Sequence, residues 1–349
     1  MKTIYQEYLK FYKDNEKDVI RKDGDKYVSF KYASIMSNFN ERFMRLSRGL
    51  VFNKETHKVA LAGFEKFFNV GQLNPGEMYS EEFVNMYSRL DFQDEYTFYE
   101  KLDGSLILVS IDEGELVVGT TGGINTEHAQ KAIPLIKDST VDFLKENPEL
   151  CLLFEMVGPD NKIVVDYDEN ELVLLNATNK YILDRVDKAT LKYIQESLNY
   201  KTPKKYILTK DELKDFIETN NEIEGFVTEN KYGNLVKIKT SQYIIQHRLR
   251  TTIEALSAVS IIEAFEESVL DDWLPELNNE KRVLVEEVLK EYIKLKEAIN
   301  EYEKVFLKMD RKEFFLNKEI PEVIKHGVVA KDKIYYLKKY FKNKESNKK

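Results

Sequence analysis

Short apolar runs rich in β-branched residues, each bounded by turn signals, recur between residues 26 and 245: 106–111, 115–119, 150–157, 162–165, 171–176, 225–229 and 235–240. They predict strands. The helical stretches among them, 128–146 and 187–198, do not alternate regularly with the strands. That disfavours a doubly wound fold and predicts an α+β domain of mixed or antiparallel sheets with flanking helices. After about residue 245 the pattern changes: segments 249–272 and 280–309 are long, charged and periodic, and strand-like runs nearly vanish. In the second segment Val285, Val288, Tyr292, Leu295, Ile299, Tyr302, Phe306 and Met309 follow one another at spacings of three and four, a continuous apolar seam. Packing against helices of the same chain is the expected use of such a seam, with an intermolecular coiled coil as the alternative.

A chain of 349 residues exceeds one ordinary core. The change of pattern therefore divides it into an α+β domain, 1–244, and an all-helical C-terminal domain, 245–349. Hydrophobic residues at 42% and charged residues at 33% mark a globular chain rather than a disordered one. No apolar run approaches the roughly 20 residues that span a bilayer. The first residues mix Lys, Glu, Asp and Tyr instead of a basic stub and an apolar run, so no secretory signal is read and a cytoplasmic protein with no membrane partner is expected.

Cys151, the single cysteine, lies in an apolar run, which excludes an intrachain disulfide and predicts a buried, inert thiol. The histidines His57, His128, His247 and His326 are too scattered for a structural zinc site. A net charge of -8 argues against a protein that coats nucleic acid nonspecifically, so phosphate binding requires local basic patches. One such patch is the tail, 331–349, where eight lysines stand against Asp332 and Glu345 and are interleaved with Tyr335, Tyr336, Tyr340 and Phe341. It reads equally as a solvated terminal helix or as a phosphate-binding surface.

The sharpest local feature is Glu100-Lys101-Leu102-Asp103-Gly104-Ser105-Leu106, placed where a strand is beginning. Alone, Lys followed by Asp-Gly also describes an exposed hairpin turn. Its companions change the weighting. Phe154-Glu155-Met156-Val157 and Glu224-Gly225-Phe226-Val227 each set an acid in an apolar strand, and Val236-Lys237-Ile238-Lys239-Thr240 sets two lysines on one strand face. Charges on apolar strands are costly unless paired or functional. Any one of them alone would be read as an edge charge or a salt bridge.

In this order the motifs resemble those of the covalent nucleotidyltransferases, the ligases and RNA-capping enzymes, with the match closest to the bacteriophage RNA ligase 1 family. Arg48-Gly49 and Lys66-Phe67-Phe68-Asn69 resemble that family's upstream phosphate-binding elements, and Asn161-Lys162-Ile163-Val164 fits it after the acidic strand. The resemblance covers about residues 32–243. One departure stands out: where the family carries a basic residue beside Gly, this chain has Gly119-Thr120-Thr121-Gly122-Gly123.

The resemblance implies an ATP-dependent RNA ligase that forms a lysyl-adenylate on Lys101, using ATP with Mg2+, or Mn2+ in its place. It passes AMP to an RNA 5′-phosphate and seals that end to a 3′-hydroxyl, in repair of RNA such as a nicked tRNA. Glu155 would contact the ribose and Glu224 would help hold hydrated magnesium. Val227 and the residues around Lys101, with Asp103 and Gly104, would line the nucleotide pocket; Lys237 or Lys239 would touch the α-phosphate, with Arg48 and Lys66 nearby. Asp271 and Asp272 are weaker metal candidates, against the reading of a solvated acidic pair where a helix stops. The alternatives are a DNA ligase or capping enzyme, which would carry a small β-barrel after the Lys-x-Lys strand, and a non-catalytic RNA-binding relative. A monomer is expected, and the helical domain would select the RNA.

Overall fold

A computed structural model describes residues 3–34, 37–76, 78–92, 95–161, 163–244, 256–267, 270, 277 and 279–346. By its contacts the chain divides into two compact units, Met1–His247 and Arg248–Lys349.

The first unit is mixed α+β, with fifteen strands among its described residues: β1 Val19–Asp23, β2 Tyr27–Tyr32, β3 Arg48–Asn53, β4 Val59–Leu61, β5 Phe68–Asn69, β6 Tyr96–Lys101, β7 Ser105–Asp112, β8 Glu115–Thr120, β9 Gly123–Ile124, β10 Leu150–Val157, β11 Glu171–Asn179, β12 Asp184–Arg185, β13 Lys205–Leu208, β14 Gly225–Glu229 and β15 Leu235–Lys239. They form three sheets, ordered β1-β2-β3-β4, β12-β11-β10-β7-β8-β9 and β13-β6-β14-β15-β5. Every pairing is antiparallel except β15 with β5.

Period-two alternation divides each sheet between two cores. On β10, Leu150, Leu152, Phe154 and Met156 pack with helices Glu127–Ala132, Asp138–Glu146 and Lys188–Leu198. Cys151 and Leu153 pack on the opposite face against Val51, Ala60 and Leu61 of the first sheet and Leu235 of the third, and Glu155 shares their face. In the third sheet Phe98 and Phe226 bury their rings against helix Lys210–Thr219, which turns Tyr99, Lys101, Val227 and Lys237 the other way.

Several elements differ from the pattern reading. Residues 163–165 bend instead of forming a strand, because the amides of Val164 and Val165 donate to the Asp103 carboxylate and not to a neighbouring strand. The helical stretch 128–146 is broken at Ile133–Leu135, where Pro134 withdraws a backbone donor. A strand does begin within the motif, β7 at Ser105, but Lys101 ends the preceding strand and is not part of it. Nor is its Asp-Gly a hairpin turn, since β6 and β7 lie in different sheets. The true hairpin is next along the chain: Glu113 and Gly114, both with positive φ, join β7 to β8 in a two-residue turn.

The described strands all belong to the first unit, and the described residues after Ile244 form helices only, Ala258–Glu266, Asn279–Phe306, Arg311–Leu316, Glu322–Val328 and Lys333–Ser346. Within this unit the seam residues Val285, Val288, Tyr292 and Ile299 are buried. Tyr292 meets the rings of Phe265 and Phe341, and Gly327 lets its helix approach so closely that a Cβ there would lie 2.3 Å from Ile299. No helix among the described residues is long and apolar enough to cross a membrane.

Candidate active site

The register of the third sheet sets the position of Lys101. It lies opposite Gly225 of β14, which in turn lies opposite Lys239 of β15. A Cβ at Gly225 would fall 2.0 Å from the carbonyl oxygen of Ile238, so only glycine permits this approach. Glu224, one residue earlier, is thereby held between the two lysines. Its Oε2 lies 2.6 Å from Lys101 Nζ and its Oε1 lies 3.1 Å from Lys239 Nζ, with Glu224 only 2% exposed. Two ammonium groups on one buried carboxylate compensate its desolvation and fix the lysine chains.

The turn after Lys101 is anchored on the second sheet. Asp103, buried, accepts from the amides of Val164 and Val165 at 2.6 and 2.8 Å and from the Tyr243 hydroxyl at 2.9 Å, while its own amide donates to the Tyr167 hydroxyl. Tyr243 closes a loop back to the lysines, because the Lys239 ammonium sits 4.9 Å from its ring centroid. Burial and the nearby Glu224 push the Asp103 carboxyl upward, against the amide hydrogen bonds and Lys101. Gly104 is pressed on β10, where a Cβ would lie 2.3 Å from the Met156 carbonyl oxygen. Ser105 extends the anchor by donating to Asn161, whose amide donates to that same Met156 carbonyl.

This contact brings the second sheet's acid to the Lys101 end of the third. Burial raises the Glu155 carboxyl to about 8; Lys101 and Arg48 oppose the rise, and Glu224 and Asp103 add to it. Glu155 remains partly reachable by solvent, so it is desolvated without being sealed off.

The structure thus gathers Lys101, Asp103, Gly104, Glu155, Glu224 and Lys239 at one corner, with Arg48 close enough to bear on Glu155. Val227 lies between Tyr99 and Lys237 on the same sheet face, and Lys237 is buried with its ammonium 6.0 Å from the Phe67 ring centroid. Lys66 is placed differently. Its buried ammonium lies 4.9 to 5.3 Å from the ring centroids of Tyr32, Phe39 and Phe68. Asp271 and Asp272 lie outside the described residues, as does Lys162. The sequence reading missed Tyr167 and Tyr243, whose part depends on contacts 64 and 140 residues away along the chain and leaves no local pattern.

A family model described as RNA ligase matches residues 46–246, more than half of the chain. The chain belongs to the RNA ligase family. A Thermovibrio ammonificans protein described as a candidate RNA ligase is 25% identical over 293 residues, covering 80% of this chain and 73% of its own. The RNA ligase of Rhodothermus phage RM378 is 26% identical over 317 residues, covering 72% and 70%. Among solved structures, an archaeal ATP-dependent RNA ligase superposes with a TM-score of 0.51 at 17% identity, over 83% of this chain and 79% of the other, a likeness of fold. The resemblance and the α+β fold expected from sequence are both borne out.

Proposed function

We propose that this ligase is ATP-dependent and works through a covalent adenylate on Lys101. The observation that carries this reading is the pair of partly buried ammonium groups, Lys101 and Lys239, on the two oxygens of the buried Glu224. A purely structural ion pair needs one cation per carboxylate. Here a second lysine joins the pair and a desolvated Glu155 stands beside it, ionisable groups gathered where an apolar core would be cheaper.

In the proposed reaction Lys101 Nζ, as the neutral amine, attacks the α-phosphorus of ATP, and the bond to pyrophosphate breaks as the phosphoramide forms. An ammonium held by a carboxylate is stabilised in its charged form, so Lys101 becomes nucleophilic once Glu224 is engaged otherwise. Among the described residues no cluster of three or more metal-ligating side chains occurs, but one or two carboxylates suffice for Mg2+, which keeps much of its water and takes phosphate oxygens. Glu224 and Glu155 fit that donor set. A bound Mg2+ or Mn2+ would neutralise phosphate charge. Lys237, Lys239 and Arg48 would steady the phosphates, Glu155 would meet the ribose, and Val227 would floor the adenine pocket. AMP then passes to an RNA 5′-phosphate, and attack by a 3′-hydroxyl releases it as the strand is sealed. A nicked tRNA is the natural kind of substrate we propose.

The helical unit, 245–349, is proposed to select the RNA. Of its tail lysines, Lys333, Lys338 and Lys344 pair with Glu303, Glu263 and Glu291 of the same unit. Lys331, Tyr335, Lys339 and Lys342, spaced four, four and three apart, are exposed. This stripe, smaller than the whole tail, is the surface suited to phosphates and unpaired bases. Among the described residues after Ile244 the elements are helices, where the DNA ligase and capping alternatives would carry a β-barrel, and this weighs against them. Incubation with α-labelled ATP and Mg2+, then denaturing electrophoresis, tests the proposal: a covalently labelled chain, suppressed by excess unlabelled ATP and not by GTP, is expected. An unlabelled chain that binds RNA would favour the non-catalytic relative.

A further inference from the structure

The turn Gly119–Gly123 has no basic side chain of its own, yet the structure lays cations over it from another part of the chain. In the first sheet Lys22 lies opposite Ser29, and Lys31 lies opposite Arg48. The faces follow from burial: Val28, Phe30 and Tyr32 fill the core on one side of β2, so Ser29 and Lys31 point to the other. Arg48 would fall on the core side with Leu50 and Phe52, but the register shifts at Gly49, whose φ of 79° supplies a bulge that turns Arg48 onto the face of Lys31.

That face looks onto the turn. A Cβ on Gly49 would lie 2.7 Å from the Thr120 carbonyl oxygen, a Cβ on Gly123 would lie 2.8 Å from Ser29 Oγ, and Lys22 Nζ reaches the Gly122 carbonyl oxygen at 3.5 Å. Lys22 is exposed and Lys31 partly so. The row therefore begins at Arg48, beside Glu155, and runs outward through Lys31 to Lys22. Strand spacing and rise give it a length of roughly 10–12 Å. The neighbouring cation on β1, Arg21, is turned away and neutralised by Asp23 at 2.7 Å. In a chain of net charge -8, a continuous row of cations leaving the nucleophile corner is a local attraction for a polyanion.

We propose that Lys22 and Lys31 form a phosphate track that holds the RNA backbone next to the end being joined, continuing outward from Arg48. The occupant is RNA and not the ATP triphosphate, because the row extends away from the corner to the exposed Lys22 and a small nucleotide would be held within the corner. The proposal rests on the RNA ligase reading above.

The test uses the full chain with Lys22→Ala and Lys31→Ala combined, and the matching Arg substitutions as controls. Binding of a 5′-phosphorylated oligoribonucleotide is followed by fluorescence anisotropy over a range of salt, without ATP, and labelling by ATP is measured separately. The Ala pair should raise the RNA Kd about tenfold and lower the salt slope by roughly 1.4, two contacts at about 0.7 each for a single strand. Labelling by ATP should be unchanged, and the Arg pair should bind as the wild type does. If the Ala pair is poorly folded, Lys22→Ala at its exposed position should still lower the slope by roughly 0.7. An unchanged RNA Kd and slope, or a higher KM for ATP in place of weaker RNA binding, would overturn the track. A wild-type chain that binds RNA through these lysines but is never labelled would leave the track standing and remove the lysyl-adenylate.

Discussion

Two sets of lysines in this molecule stand in different sequence settings and behave differently in structure. Lys237 and Lys239 sit in an apolar strand, and with Lys101 they are buried or nearly so; Lys101 and Lys239 share the carboxylate of Glu224, which arrives from another strand, and Lys237 lies near the Phe67 ring. Lys333, Lys338 and Lys344 sit in a run of charge, and each reaches a separate glutamate near the surface. Burying an ammonium requires compensation that only a specific partner gives, whereas a surface pair forms and breaks at little cost. A charge set into an apolar pattern is thus strong information about chemistry. A dense charge run is weak information, because helices draw on it for ordinary packing.

The comparison breaks most directly at Lys101. Lys101→Ala should abolish labelling by ATP while leaving the fold intact, and Lys101→Arg should fail equally, since a guanidinium stays charged. Wild-type labelling in either variant would make the buried lysine an ordinary ion pair and return it to the class of the tail lysines.

Next in size are the partners. Lys239→Ala should slow labelling about 10²- to 10³-fold by removing a fixed cation at developing phosphate charge. Glu224→Gln should slow it steeply at millimolar Mg2+. It should also cost on the order of 3 kcal/mol of stability, because two ammonium groups lose their shared carboxylate. Denaturant melts separate the two effects; labelling at the wild-type rate in both variants would reject the site.

A smaller effect is expected from pH. Folding raises the Glu155 carboxyl from its usual 4.5 to about 8, so the folded state holds this proton more tightly than the unfolded chain. Its contribution is complete below about 4.5 and is lost as pH rises through about 8. Glu155→Gln, neutral throughout, should melt like the wild type at pH 4 and several degrees higher at pH 9. Parallel curves at both pH values would mean that Glu155 is well solvated.

Much of this contrast was legible beforehand. β7, β8, β10, β11, β14 and β15 appear as apolar runs, and Lys101, Glu155, Glu224, Lys237 and Lys239 stand out as polar interruptions of, or additions to, that pattern. What was not legible depends on contact across sheets. Strands β4 and β5 have only three and two residues, and β2 and β3 carry aromatic residues in a core shared with the helices that cover them, so their period is masked. Residues 163–165 have strand composition but give their amides to Asp103. Lys66 carries the same charge as Lys237, and only the structure shows its ammonium among three rings.

The smallest effects should come from the tail, and they sharpen the comparison because its lysines divide into two kinds. Lys338 holds Glu263 at 3.0 Å with both side chains partly exposed, and such a pair contributes up to about 1 kcal/mol. Lys338→Ala should therefore lower the melting temperature slightly, leave labelling by ATP untouched and leave RNA binding nearly unchanged, since its charge is already spoken for by a carboxylate. Lys339→Ala and Lys342→Ala, on the exposed stripe beside Tyr335, should do the reverse: stability stays the same, while affinity for a nicked tRNA falls and its salt slope becomes shallower by somewhat less than one per contact. A short unstructured oligonucleotide should be affected less, because it need not reach the helical unit. Equal responses from Lys338 and Lys339 variants, on both RNAs, would show that the whole tail acts as a diffuse positive surface. The distinction between lysines that pack the unit and lysines that read the substrate would then be abandoned.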